Sequence, residues 1–218
     1  MVPGAAKRGS PHRSHRILKL LVILAVLAGV WFLILVFVDV PVHRYLFGVK
    51  IRGWIHDVFR FFNMYGKVGV QHVILIWVCL IAGTKSEKWR MVFQFILALL
   101  VTLLPVWAGK IFVPRYRPEV FKGGQWFETF LSGMSSVHQD KFHSFPSGDA
   151  ATAFAISVIL AHHFPHYRTV FYVLACGCAA ARVVLSAHFP SDVFAGAVIG
   201  ILVGRFVLLL TGDVRTSS

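Results

Sequence analysis

Three short polar islands interrupt an otherwise apolar chain: 110–118 (KIFVPRYRP), 146–149 (PSGD) and 182–192 (RVVLSAHFPSD). They hold three fixed cations (Lys110, Arg117, Arg182), a Ser-Gly turn (Ser147, Gly148), one histidine (His188) and two carboxylates (Asp149, Asp192). These residue types suit phosphoryl chemistry. A phosphoryl group spreads its charge over several oxygens, and its hydrolysis is among the slowest uncatalysed reactions, so a site must supply preorganised positive charge and positioning. Arg117 and Arg182 can each grip two oxygens in a planar fork, and Lys110 can act as a point charge. Ser147 and Gly148 stand where a loop becomes a helix, and free backbone N–H groups there favour an anion. Pro146 shapes the approach to that turn, and Gly148 lets backbone come close to a ligand. Any one of these cations alone would read as ordinary snorkelling at the end of a membrane span.

His188 and Asp192 are four residues apart. A helix beginning near His188 would carry both on one side of its first turn. A carboxylate bonded to one imidazole nitrogen fixes the tautomer and frees the other nitrogen to attack. This makes His188 the candidate nucleophile and Asp192 its orienter. The alternative for the pair is a capping aspartate beside an interfacial histidine.

The elements that must position these islands are membrane helices. With 57% hydrophobic residues in 218, the chain is too apolar for a soluble domain. It reads as an all-α polytopic membrane protein. The formal charge of +13, from 22 basic and 9 acidic residues, fits positive-inside signalling and anionic headgroups. Nucleic acid is a poor second partner, because the cations are scattered between apolar spans. Cys79, Cys176 and Cys178 all fall in apolar segments, odd in number and without zinc-type spacing, which argues against a disulfide framework or zinc site.

Six spans are expected, near 17–38, 68–84, 91–107, 147–163, 170–186 and 192–210. The basic residues 1–16 form a disordered cytoplasmic tail, 17–211 the membrane domain with its active segment at 110–192, and 212–218 a second tail. The first apolar stretch is too long for a cleaved signal peptide and reads as a retained span. Between the first two spans, Phe47, Ile51, Trp54, Ile55, Val58 and Phe62 recur at helical spacing. Two readings fit 43–64: a helix lying in the membrane interface, or a plain amphipathic packing helix. Lys85, Glu87, Lys88 and Arg90 read as a short cytoplasmic loop, and 113–146 as a long functional loop. With the N-terminus inside, all three islands fall on the outer face. Arg44, Lys50, Arg52, Arg60 and Lys67 weaken that orientation, since they would lie outside.

The spacing Lys110-x6-Arg117-Pro118, then Pro146-Ser147-Gly148, then Arg182-x5-His188-x3-Asp192 resembles the type 2 phosphatidic acid phosphatase superfamily, whose motif reads KxxxxxxRP, PSGH, SRxxxxxHxxxD. The resemblance implies a metal-independent phosphatase without a cofactor. It makes His188 the site of a phosphohistidine intermediate, and Lys110, Arg117, Ser147, Gly148 and Arg182 the phosphate-binding residues. Bacterial members act on phosphatidic acid, phosphatidylglycerophosphate, undecaprenyl pyrophosphate and lipid A. Soluble vanadium haloperoxidases share the site, but the spans argue against that branch.

Two positions depart from the motif. Ala181 replaces the serine before Arg182, and Asp149 replaces the histidine of PSGH, which in the family protonates the leaving oxygen. Asp149 is the expected general acid, a role it can fill only if protonated, a state that burial and a neighbouring anion favour. His143 and His138 are further candidates in the same loop. The expected function is a lipid phosphatase at the outer face of a bacterial inner membrane, with lipid A favoured by the basic charge. Undecaprenyl pyrophosphate and phosphatidylglycerophosphate remain open as substrates. So do a lipid phosphotransferase and a non-catalytic lipid-phosphate binder.

Overall fold

Small side chains decide the centre of this all-α structure. The computed structural model describes residues 11–49, 51–81, 85–131 and 143–212. Its central helix, α7 (Gly148–His163), buries every residue from Ala150 to Leu160. It is clasped by α5 (Lys85–Phe112), α8 (Arg168–Val184) and α9 (Pro190–Leu210). The face of α9 against it carries Gly196, Gly200 and Gly204, one turn apart. A Cβ on Gly196 or Gly200 would run into the backbone oxygen of Ser147 or Ala151, and one on Gly204 would come 2.7 Å from Val158 Cβ. Only a small-residue stripe lets two helices approach so closely. The contact runs to the N-terminal ends, where the Ser147 N–H donates to Asp192 O at 3.0 Å. Two islands that are far apart in sequence are thereby joined. Met91, Phe95 and Ala98 of α5 complete the core on the other side.

The outer elements are α1 (Pro11–Phe37), α2 (Asp39–Gly48), α3 (Trp54–Tyr65), α4 (Val68–Ile81) and the short α6 (Glu128–Leu131). Most described side chains of α1 are exposed and apolar, as a lipid-facing helix requires. Among the described residues, four segments are long and apolar enough to cross a membrane: Leu18–Phe37, Ser86–Phe112, Pro165–Val184 and Pro190–Leu210. The other two expected spans are shorter, since α4 has 14 residues and α7 has 16. α7 instead lies almost wholly inside protein, where it need not match the bilayer by itself.

Several expectations are corrected. Helix α1 begins at Pro11, inside the stretch expected to be a disordered tail. The segment 43–64 is two helices, because Val49 turns extended and Gly53 takes φ +69°. Helix α3 is an amphipathic helix that packs on the bundle, as one of the two readings expected. It exposes Trp54 and Phe61, and it packs Phe62 against Gly177 of α8. Lys85, Glu87, Lys88 and Arg90 open α5 instead of forming a loop, with Glu87 suited to its first turn. Helix α9 starts at Pro190 with Phe189 as N-cap, so His188 sits in the preceding turn and not in the helix. Residues 1–10, Lys50, His138 and the tail with Arg215 lie outside the described residues.

Candidate active site

Six of the expected residues line one cavity of about 450 Å³: Lys110, Arg117, Gly148, Asp149, Arg182 and His188. Four of them stand at helix ends, while Arg117 comes from the loop after α5 and His188 from the turn before α9. Lys110 is in the last turn of α5, and its Nζ donates to His143 O at 2.9 Å. Gly148 opens α7, at the positive end of the helix dipole. Arg182 is in the last turn of α8, and its NH1 donates to Asn63 Oδ1 of α3 at 3.1 Å. Its Nε is buried and has no hydrogen-bond partner among the described residues. Leu103, Val106 and Trp107 of α5, with Val68, give the cavity an apolar wall beside this cationic floor.

Ser147 and Asp192 stand behind the cavity instead of lining it. Ser147 Oγ caps α7 by accepting from the Ala150 N–H at 3.5 Å, and its own N–H is held by Asp192 O. Asp192 is fully buried. Its Oδ2 accepts from Ser144 Oγ at 2.6 Å and from the Phe189 N–H at 3.0 Å. The distance from Asp192 Oδ2 to His188 Nδ1 is 3.8 Å, too long for a hydrogen bond. Ser144 Oγ is 3.4 Å from that nitrogen and links the two. His188 is itself held by its N–H on Arg182 O at 3.1 Å. Burial holds its imidazole below the ordinary 6.5, against the opposing pull of Asp192, so it is neutral at pH 7.

Asp192 Oδ1 is bound by Arg115, which spacing alone does not single out from Arg117. Arg115 is fully buried. Its guanidinium also donates to Asp39 Oδ2 at 2.6 Å, Ser191 Oγ at 2.7 Å and Thr129 Oγ1 at 3.1 Å. It lies between the rings of Phe130 and Phe189. The same motif thus sends Arg117 to the cavity and Arg115 to the scaffold. Asp39, a lone carboxylate just after the first span, was a readable signal, since a charge there needs a partner.

Asp149 Oδ2 accepts from Lys67 Nζ at 2.8 Å and lies 3.0 Å from Arg182 NH1. Lys67, expected as one of the scattered basic residues, therefore joins the cavity wall. His143 lines the same cavity. Two further polar or aromatic side chains have structural contacts: His163 Nε2 is 2.6 Å from Gln94 Oε1, and Trp126 packs edge-on against Phe32.

A family model described as the PAP2 superfamily matches residues 88–215, more than half of the chain and all three islands. The chain belongs to the PAP2 superfamily. Among curated relatives of this PAP2 chain is a lipid A 1-phosphatase of Rhizobium etli, 39% identical over 98 residues, covering 44% of this chain and 39% of that protein. A second, from Porphyromonas gingivalis, is 39% identical over 67 residues, covering 29% and 15%. The chain thus matches well under two thirds of the length of these relatives. The crystal structure of Aquifex aeolicus LpxE has a TM-score of 0.61 at 27% identity, covering 78% of this chain and 94% of that one. A transmembrane PAP2 phosphatidylglycerolphosphate phosphatase from Bacillus subtilis has a TM-score of 0.63 at 19% identity, covering 89% and 98%. That second likeness speaks for the fold alone. Together they make this PAP2 chain a multi-pass membrane protein.

Proposed function

We propose that this chain is a metal-independent membrane lipid phosphatase, and that lipid A is its first-choice substrate. One observation carries the reading. Lys110, Arg117, Arg182 and the N-terminus of α7 converge with a neutral, buried His188 on a single cavity with an apolar wall. Cations and helix N–H groups suit the phosphate, and the apolar wall suits the lipid next to it. The relatives described as lipid A 1-phosphatases support that substrate over phosphatidylglycerophosphate or undecaprenyl pyrophosphate.

In this reading His188 attacks phosphorus through Nε2, since Nδ1 faces Ser144 and Asp192. The phosphohistidine is then hydrolysed by water. Lys110, Arg117, Arg182 and the Gly148 turn hold the phosphoryl oxygens, with Ser147 supporting that turn as its cap. Asp149 marks the leaving-group side, where the family places its acid. Residues 17–211 form the catalytic unit, and the cavity faces the outside of a bacterial inner membrane.

The test is phosphate release by purified protein in detergent with EDTA. The panel is lipid A, undecaprenyl pyrophosphate, phosphatidylglycerophosphate and phosphatidic acid, with His188→Ala as control. Release from lipid A that vanishes in the variant is the expected result. Release from another lipid names that lipid instead. Release from none, by protein that still binds phosphate, overturns the phosphatase reading in favour of a binder.

A further inference from the structure

Where the family motif has a histidine, this chain has an aspartate. Both partners of Asp149 Oδ2 are basic side chains, Lys67 and Arg182. Lysine and arginine offer no acceptor, so this oxygen accepts a hydrogen bond from Lys67 Nζ and forms an ion pair with the Arg182 guanidinium. An oxygen engaged by two cations is poorly placed to donate. Of the two partners, the guanidinium does not deprotonate in proteins, whereas an ammonium can pass on a proton.

We propose that Lys67 is the proton donor to the leaving oxygen, held at the cavity by Asp149. This rests on the phosphatase reading above and adds to it the residue that completes the acid half of the reaction. The placement of Lys67 is built into the fold. A Cβ at Gly66 would come 2.6 Å from Cys178 Sγ and 2.8 Å from Asp149 O, so the 66–67 turn is seated directly on the start of α7. Thr152 Oγ1 donates to Gly66 O at 3.2 Å, and the Gln71 N–H donates to Lys67 O at 3.0 Å. Gln71 Nε2, fully buried, ties back to Thr152 at 3.2 Å. The Lys67–Asp149 pair thus restores what one histidine would supply: a proton to give, close to the phosphate.

The step balances. A bond forms between His188 Nε2 and phosphorus as the bond from phosphorus to the leaving oxygen breaks. That oxygen takes a proton from Lys67 Nζ and departs as an alcohol. Water then attacks the phosphohistidine, and its proton passes to the neutral Lys67 amine. The P–N bond breaks, inorganic phosphate leaves, and the ammonium is restored.

The test compares leaving groups. Initial rates are measured on the full chain in detergent with dodecyl phosphate, whose alkoxide needs a proton, and with 4-nitrophenyl phosphate, whose phenolate does not. Lys67→Gln is expected to lose about 100-fold or more on the alkyl ester, the size of a general-acid contribution, and under about 10-fold on the aryl ester. Lys67→Arg keeps the charge without a transferable proton, so it should show the same selective loss. Equal losses on both esters, or rescue by Lys67→Arg, would overturn the assignment and leave Lys67 an electrostatic contact. A selective loss in His143→Gln with none in Lys67→Gln would move the donor to His143. Wild-type protein that releases phosphate from neither ester, nor from any lipid of the panel above, would sink the phosphatase reading itself and this one with it.

Discussion

Asp39 and Asp192 share one guanidinium. Arg115 is buried between them, bound to Asp39 Oδ2 on one side and Asp192 Oδ1 on the other. Asp39 in turn accepts from the Ser191 N–H at 2.9 Å, which ties the start of α2 to the start of α9. The carboxylate behind His188 is therefore anchored to the N-terminal part of the chain.

Removing the shared cation leaves two buried carboxylates facing each other. Breaking such a pair costs about 3–5 kcal/mol. Arg115→Met should lower the melting temperature in detergent by roughly 6–20 °C, taking the usual shift per kcal/mol for a chain this size. Arg117→Met, on the cavity wall, should leave melting within a few degrees and abolish phosphate binding instead. Thermal scans of both variants check the contrast. Similar melting in the two would contradict the assignment of Arg115 to the scaffold.

Ser144 links Asp192 to His188, so it is a positioning residue. Ser144→Ala removes a hydrogen bond to a charged group, worth about 1.5–3 kcal/mol, or roughly 10- to 150-fold in rate. The loss should appear in kcat with KM little changed, because Ser144 does not line the cavity. Steady-state kinetics on one lipid substrate separates the two. A KM effect alone would show that Ser144 acts on binding.

Burial lowers the pKa of His188 below 6.5. A lowered value in the folded state means the neutral imidazole persists at pH 7 and is lost only as pH falls below 6.5. The acid limb of kcat/KM is expected there. Stability follows the same sign: below 6.5 the unfolded chain takes up a proton at His188 that the folded chain resists, so this residue weakens the fold as pH drops. A pH–rate profile and melting curves measured across that window check both. An acid limb centred above 6.5 would show that another group controls the reaction.

The close approach of α9 to α7 includes Gly200, where a Cβ would meet Ala151 O and lie 2.9 Å from Ala155 N. Gly200→Val must push α9 off α7, at a cost of about 1–3 kcal/mol from overpacking. Because the two helix starts carry Ser147 and Asp192, activity should fall together with melting temperature. Full activity at a lowered melting temperature would mean the helices yield without disturbing the site.

Much of the site was readable from residue types and spacing. Phosphoryl chemistry needs several cations, a helix start and a nucleophile, and the islands around Lys110, Gly148 and His188 carry residue types of each kind between spans that only a membrane explains. Composition and periodicity sufficed for the apolar middles of the helices, which are set by local pattern, but not for their ends: the separation of α2 from α3 and the start of α5 at Lys85 escaped them. The tertiary structure alone decided the partners. Arg115 and Arg117 look equivalent two residues apart, yet one is sealed against Asp39 and the other faces the cavity. Ser147 looks like a ligand and is used as a cap, while Lys67 looks like a stray surface charge and meets Asp149. The energy of a charged group depends on what is packed against it. For Arg115 and Lys67 the partners Asp39 and Asp149 lie 76 and 82 positions away, where no local periodicity can reach.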